Sequence, residues 1–308
     1  MATGSTNHKN GKGEVHLIEV GTGRQIAHFD HGSILREVAF SPDGRLLASV
    51  SNDGLQAGSV LLVEMSTGRE LARIAHDAYV EALTFSPDGQ KLVTGSSGGG
   101  ARLFETRTWQ QLLHVDRNSK INSVDWSPDG QFVAIGGDDG MARLIEAKSG
   151  RELFHVAQKR PVRAVRFNRD GKLLAAGDGS FADRAGEAIL IEVATGRILA
   201  RFPQDQVNSI AFSPDGAAML TLSDNSAQLH SVFDTPQNLV NAAKNRAARC
   251  LTQGQRMEYF LPAAPPIWCI ELRLWPYHGD EWQIWLPMRK AWLASDRRGQ
   301  EPPLPKAE

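Results

Sequence analysis

A chain of 308 residues can bury a sizeable core, and its 34 basic and 35 acidic side chains leave a net charge of −1. That balance offers none of the basic excess of a nucleic-acid binder, and no run of about 18 apolar residues is present to span a membrane. The first residues lack the apolar core of a secretory leader. Only Cys250 and Cys269 are present, too few for a disulfide framework, so two buried, inert thiols in a reducing, cytoplasmic compartment are expected.

In chain order, the first strand-like runs fall at residues 2–5, 15–20 and 25–29. A recurring turn then begins. Phe40-Ser-Pro-Asp-Gly44 returns at Phe85, at Trp126, as Phe167-Asn-Arg-Asp-Gly171 and at Phe212, with spacings of 45, 41, 41 and 45 residues. Such a period belongs to a four-stranded blade. Two further markers keep step with it. Glu19, Glu64, Glu105, Glu146 and Glu192 each close an apolar run, and Thr/Ser-Gly-Arg follows at Gly23, Gly68, Gly150 and Gly196. Each unit therefore reads as four short strands. In the 34–74 unit, residues 35–40 alternate apolar and polar, 46–50 are small and apolar, and 60–64 and 70–74 complete the set. Proline, aspartate and glycine build the turns between them. Whole units also lie at roughly 78–117, 118–159 and 160–205, and residues 207–232 supply three strands more.

These units resemble WD repeats, whose pattern is His, a spacer, Val-x-x-Val-x-Phe-Ser-Pro-Asp-Gly, a small-residue strand, and a strand ending in Trp-Asp. His76, Val80, Leu83 and Phe85 to Gly89 fit that pattern, and His31 opens a similar run. Where the family has Trp-Asp, this chain has Ile18-Glu19, Val63-Glu64, Phe104-Glu105, Ile145-Glu146 and Ile191-Glu192. Arg117, Gln158 and Pro203 take the His position later on. The resemblance implies an all-β propeller over residues 1–232, with the family's His–Ser/Thr–Asp–Trp network incomplete. Four whole and two partial blades are counted. Either 25–29 pairs with 227–232 to close a five-blade ring, or the propeller is incomplete; the second is favoured.

After Asp234 the alternation stops, and residues 233–308 read as a helical tail rich in Trp and Pro. Thr235-Pro236 opens one helix and Thr252 to Gln255 a second. Five tryptophans (Trp268, Trp275, Trp282, Trp285 and Trp292) require something to pack against. Pro287 is expected to split residues 280–297 into two helices. The tail is similar to the segment that follows WD repeats in bacterial multidomain proteins carrying STAND-type, TIR or caspase-like effectors, through Tyr259-Phe-Leu261, Trp268-Cys269, Trp275-Pro-Tyr277 and Pro302 to Pro305.

No residue stands out as catalytic, and neither a cofactor nor a metal is expected. The repeated aspartates (43, 88, 129, 170, 215) and glutamates recur with every blade, as turn-building residues do, whereas a catalytic group is normally unique. Gly95 to Gly100 lacks the Lys-Ser/Thr of a phosphate-binding loop. His28, His114 and His155 share one position on the outermost strands, too far apart across blades to hold one ion. A protein-interaction scaffold or sensor follows, with other proteins as partners rather than nucleic acid or membrane. The alternative is a quinoprotein-like or hydrolytic propeller acting at its channel. The candidate partner-binding face carries expanded loops at 7–13 (Lys9, Lys12) and 181–187 (Asp183, Arg184, Glu187), joined by the connections holding His31 and His76.

Overall fold

The computed structural model describes residues 2–7, 12–31, 34–53, 57–180, 182, 185–232, 250, 264–274, 277–295 and 302–305. It divides into two units, 1–232 and 233–308.

The first unit holds six antiparallel sheets, blades 1 to 6 in chain order. Blade 1 has three strands, β1 (Ala2–Asn7), β2 (Lys12–Ile18) and β3 (Gln25–His31). Blade 2 runs β4 (Ile34–Phe40), β5 (Leu46–Asn52), β6 (Gly58–Glu64), β7 (Arg69–His76). Blade 3 is β8 (Val80–Phe85), β9 (Lys91–Ser96), β10 (Gly100–Glu105), β11 (Gln111–Asp116). Blade 4 is β12 (Ile121–Trp126), β13 (Phe132–Gly137), β14 (Met141–Glu146), β15 (Glu152–Ala157). Blade 5 is β16 (Val162–Phe167), β17 (Leu173–Asp178), β18 (Gly186–Glu192), β19 (Ile198–Gln204). Among the described residues blade 6 has three strands, β20 (Ser209–Phe212), β21 (Ala218–Leu222) and β22 (Ala227–Ser231). Four whole and two partial blades are thus observed. Among the described residues no strand of blade 1 pairs with one of blade 6, so neither β3 nor any other strand closes a ring with β22.

The turn chemistry does what the repeat implies. The hydroxyls of Ser41, Ser86, Ser127 and Ser213 donate to Asp43, Asp88, Asp129 and Asp215 at 2.5–2.6 Å, and each aspartate accepts a backbone N–H two residues on. In blade 5, Asn168 replaces the serine and accepts the Leu173 N–H. The serine bond and then the backbone bond hold the Asp43 and Asp215 carboxyls below the usual range. The second marker is equally local. Thr22, Thr67, Thr108, Ser149 and Thr195 donate their hydroxyls to Glu19, Glu64, Glu105, Glu146 and Glu192. The next residue turns left-handed, as glycine in four blades and as Trp109 (φ 59°) in blade 3. These carboxylates are turn builders.

Each boundary between blades is a separate apolar core. Val50, Val60 and Leu62 meet Val80, Leu83 and Phe85, and Ala134 and Leu144 meet Val162 and Val165. The second and third strands of blades 2 to 5 are mostly buried on both faces for this reason. β2 is the exception: Val15 and Leu17 are buried toward blade 2, while Glu14 and His16 on its other face stay part-exposed.

The second unit has a short helix α1 (Ile267–Glu271) and a longer α2 (Asp280–Ala294). Trp282, Trp285, Leu286, Tyr277 and Ile270 form its core, and the Trp285 indole donates to the Pro302 carbonyl at 3.3 Å. The expected break at Pro287 does not occur. The helix continues through it, anchored ahead of the proline by Trp282, Trp285 and Leu286. The Arg289 guanidinium lies 5.8 Å from the Trp285 ring and 4.5 Å from the Trp292 ring, so it bridges the two sides of the proline. The cysteines are also corrected: Cys250 and Cys269 form a disulfide inside this core. The expectation of a reducing compartment rested on free thiols, and it loses that support. The helices expected near 235–250 and 252–260 lie outside the described residues except for Cys250.

Candidate functional site

The first strands of blades 2 to 6 converge on a polar cleft of about 470 Å³. Their Val-x-x-Val-x-Phe pattern points the apolar positions into the blade boundaries and leaves the intervening residues to line the cleft. Charge enters at Arg36 and Glu37 on β4, Glu81 on β8, Asp125 on β12, and Arg163 and Arg166 on β16. Three cations thus face three carboxylates.

Two of the carboxylates are built into the scaffold. Glu37 accepts the Leu83 N–H at 2.9 Å, and Asp125 accepts the Phe167 N–H at 2.8 Å, each from the following blade. Burial pushes the Glu37 carboxyl up. It pushes Asp125 up to about 6, against the pull of the Arg166 guanidinium and the Phe167 N–H. Glu81 has a different setting. Arg36 Nη2 donates to its Oε2 at 3.3 Å, and Lys120 Nζ sits 3.0 Å from its Oε1. Arg166 reaches the Val124 carbonyl at 3.4 Å, and Arg163 Nε donates to the Gly179 carbonyl at 3.2 Å. Asn122 and Asn208 add amides, each donating to an aspartate of its own blade, Asp138 and Asp224. The result is a groove in which both signs of charge are held by hydrogen bonds and ion pairs.

Sequence reasoning passed over this groove because it sought unique residues among the repeat markers. The signal lies in the gaps of the repeat: position two of the pattern reads Arg36, Glu81, Asn122, Arg163, Asn208, and position five reads Ala39, Thr84, Asp125, Arg166, Ala211.

Comparison with known proteins bears on the scaffold. Residues 23–55, 68–105 and 196–231 match the family described as WD domain, G-beta repeat. The chain carries WD repeats. Residues 102–162 match a second family description, the anaphase-promoting complex subunit 4 WD40 domain. Among solved structures, hydrazine synthase of Kuenenia stuttgartiensis is similar at a TM-score of 0.55 and 20% identity over 60% of this chain and 54% of that one. This chain therefore spans about half of that structure, and the likeness shows the fold alone. No curated protein matches the sequence.

The WD-repeat framework explains where the expected partner-binding residues went. His31 and His76 occupy the family's His position and are buried, not presented on a face. His31 Nε2 lies 2.7 Å from Ser49 Oγ, so the His–Ser leg of the family network survives in blade 2. His76 packs edge-on to Phe104, which stands at the family's Trp position. Burial lowers both imidazoles to about 4. Glu187 is at the start of β18, where its carboxylate accepts from Arg201 Nη1 at 2.6 Å. Lys9, Asp183 and Arg184 lie outside the described residues, as does the side chain of Lys12. Of the expected face, His31 and His76 are thus buried and Glu187 is paired within its own blade. Gly95 to Gly100 is the β9–β10 turn, closed by the Ser96 hydroxyl donating to the Gly100 carbonyl at 3.0 Å. Of the outer-strand histidines, His28 meets two side chains of its own blade, Glu14 and His16. No described helix is long and apolar enough to cross a membrane.

Proposed function

We propose that the blades form a protein-interaction scaffold or sensor whose partner reads the inner cleft, as the recognition part of a larger bacterial signalling or defence protein and not as an enzyme. One observation carries this reading. On a scaffold whose turn residues repeat from blade to blade, the charge of the cleft-lining residues changes from blade to blade, and they set positive and negative groups side by side. Such an arrangement favours one charge pattern in a partner and penalises others. The similarity of the tail to segments behind effector domains supports the larger context. The loops at 7–13 and 181–187, which lie largely outside the described residues, are a second candidate contact region. The test is to compare the partners co-purified with the wild type and with Arg36→Ala/Arg166→Ala, alongside their melting curves. Loss of the same partners at little-changed Tm supports the cleft; an unchanged set places recognition elsewhere.

A further inference from the structure

We propose that the outer hairpin of blade 1 binds one divalent transition-metal ion, zinc by preference, through Glu14, His16 and His28, with Asp30 beside His28.

The register sets the quartet. Glu14 pairs with Asp30 and His16 with His28 across β2 and β3, so all four side chains share one face of the hairpin. Val15, Leu17 and Phe29 take the other face, toward blade 2. The donor atoms of Glu14, His16 and His28 all lie within 4.8 Å of one another. His16 Nε2 is 3.4 Å from Glu14 Oε2, His28 Nε2 is 3.8 Å from the same oxygen, and 3.2 Å separates His28 Nε2 from Asp30 Oδ1. Four ligands at roughly 2.1 Å around a tetrahedral ion stand about 3.4 Å apart. The two nitrogen–Glu14 separations come close to that edge without any ion to draw the ligands in.

The imidazole protons point the same way. His16 Nδ1 lies 2.9 Å from Gln25 Oε1, a carbonyl oxygen that only accepts, so Nδ1 carries the proton. In a neutral ring the Nε2 lone pair then faces a carboxylate oxygen. Without an ion, His16 has to donate from both ring nitrogens, to Gln25 and to Glu14, with the His28 ring centroid 4.8 Å away. One divalent ion satisfies both nitrogens and the Glu14 carboxylate at once. Gln25 acts as the outer partner that fixes ring orientation and tautomer, a support metal-bound histidines regularly have. Two nitrogens with a carboxylate oxygen suit zinc, whereas magnesium and calcium demand oxygen alone.

The test is calorimetric titration of the full chain, freed of metal by chelation, with zinc chloride, and the visible spectrum of the cobalt(II) form. One equivalent should bind to the wild type, raise its Tm, and give the intense bands of tetrahedral cobalt. His16→Gln and His28→Ala should abolish that equivalent, Gln25→Ala should weaken it by about 10–100-fold, and His155→Ala should leave it unchanged. Zinc-free melting curves report whether each variant folds; if His28→Ala does not, Glu14→Gln is expected to show the same loss. Absence of one-to-one binding to the wild type, or binding that survives all of these changes, overturns the proposal.

Discussion

Asp125 accepts the Phe167 backbone N–H at 2.8 Å, so a carboxylate of blade 4 completes a hydrogen bond owed by blade 5. The same clamp joins Glu37 of blade 2 to Leu83 of blade 3. Inter-blade cohesion in this chain therefore combines apolar packing with buried carboxylates on the inner strands, and burial has consequences for pH.

Burial raises Asp125 from 3.8 to about 6, so the folded state binds its proton more tightly than the unfolded state does. Its contribution is fully present below 3.8 and is lost as pH rises through about 6. His31 and His76 behave oppositely. Lowered from 6.5 to about 4, they stabilise fully above 6.5 and lose that contribution as pH falls toward 4. The windows overlap with opposite sign, so each group is read from its own variant. Asp125→Asn, which keeps the acceptor oxygen, should gain about 2 kcal/mol on the wild type between pH 4.5 and 7.5. His76→Asn should lose a similar amount relative to the wild type over the same rise. Urea midpoints at the two pH values decide it; a constant gap in either variant refutes the burial argument.

Gly136 on β13 tests how closely the blades approach. A Cβ there would stand 2.6 Å from Val162 Cγ1 on the first strand of the next blade. Gly136→Ala should cost about 1–3 kcal/mol through overpacking. Val162→Ala alone should also cost about 1–3 kcal/mol, through the cavity it leaves. Combined, they should cost clearly less than the sum, because the smaller side chain makes room for the new methyl. Additive thermal or urea unfolding energies would mean that the two blades do not meet at this point.

Local chemistry was legible in the sequence and remote pairing was not. The Ser41–Asp43 and Glu64–Thr67 bonds span two and three residues, so motif and structure carry the same information. Blade number and strand bounds follow from such turns. The Glu37–Leu83 and Asp125–Phe167 clamps join residues 46 and 42 apart, and only the stacking of blades reveals them. His31 and His76, read in the sequence as parts of connections, end β3 and β7 and are buried. The Glu14–His16–His28–Asp30 face was present in the alternation of β2 and β3, but those histidines were weighed across blades rather than along one hairpin. Pro287 misled because the packing around α2 outweighs a local penalty.

The Cys250–Cys269 bond makes a chemical prediction. It closes a loop across 19 positions of sequence inside the aromatic core of the second unit. A loop of that size contributes about 3 kcal/mol by restricting the unfolded chain. The protein isolated without reductant should therefore show no free thiol with Ellman's reagent and gain two on reduction under denaturing conditions. Reduction should also expose Trp282 and Trp285, shifting tryptophan emission to the red. Two free thiols in the protein isolated without reductant, under thiol-blocking conditions, would contradict the bond.

Glu81 ties three blades together, with Arg36 of β4 on one side and Lys120, just ahead of β12, on the other. Its side chain is only 11% exposed, whereas Arg36 is 50% and Lys120 35% exposed. Removing the carboxylate leaves two neighbouring cations without their shared counter-charge. Removing either cation leaves a shielded carboxylate still paired with the other. Glu81→Ala should therefore destabilise by about 1–2 kcal/mol, and Arg36→Ala by about 0.5 kcal/mol. Double-mutant cycles should give Glu81 a larger coupling to Lys120 than to Arg36, since that pair is closer and less wet. The Arg36 coupling should shrink further in 0.5 M salt, which screens exposed charge within a few ångströms. Couplings near zero for both pairs would reduce Glu81 to a bystander, and would leave the apolar cores and the Glu37 and Asp125 clamps to hold these blades in register.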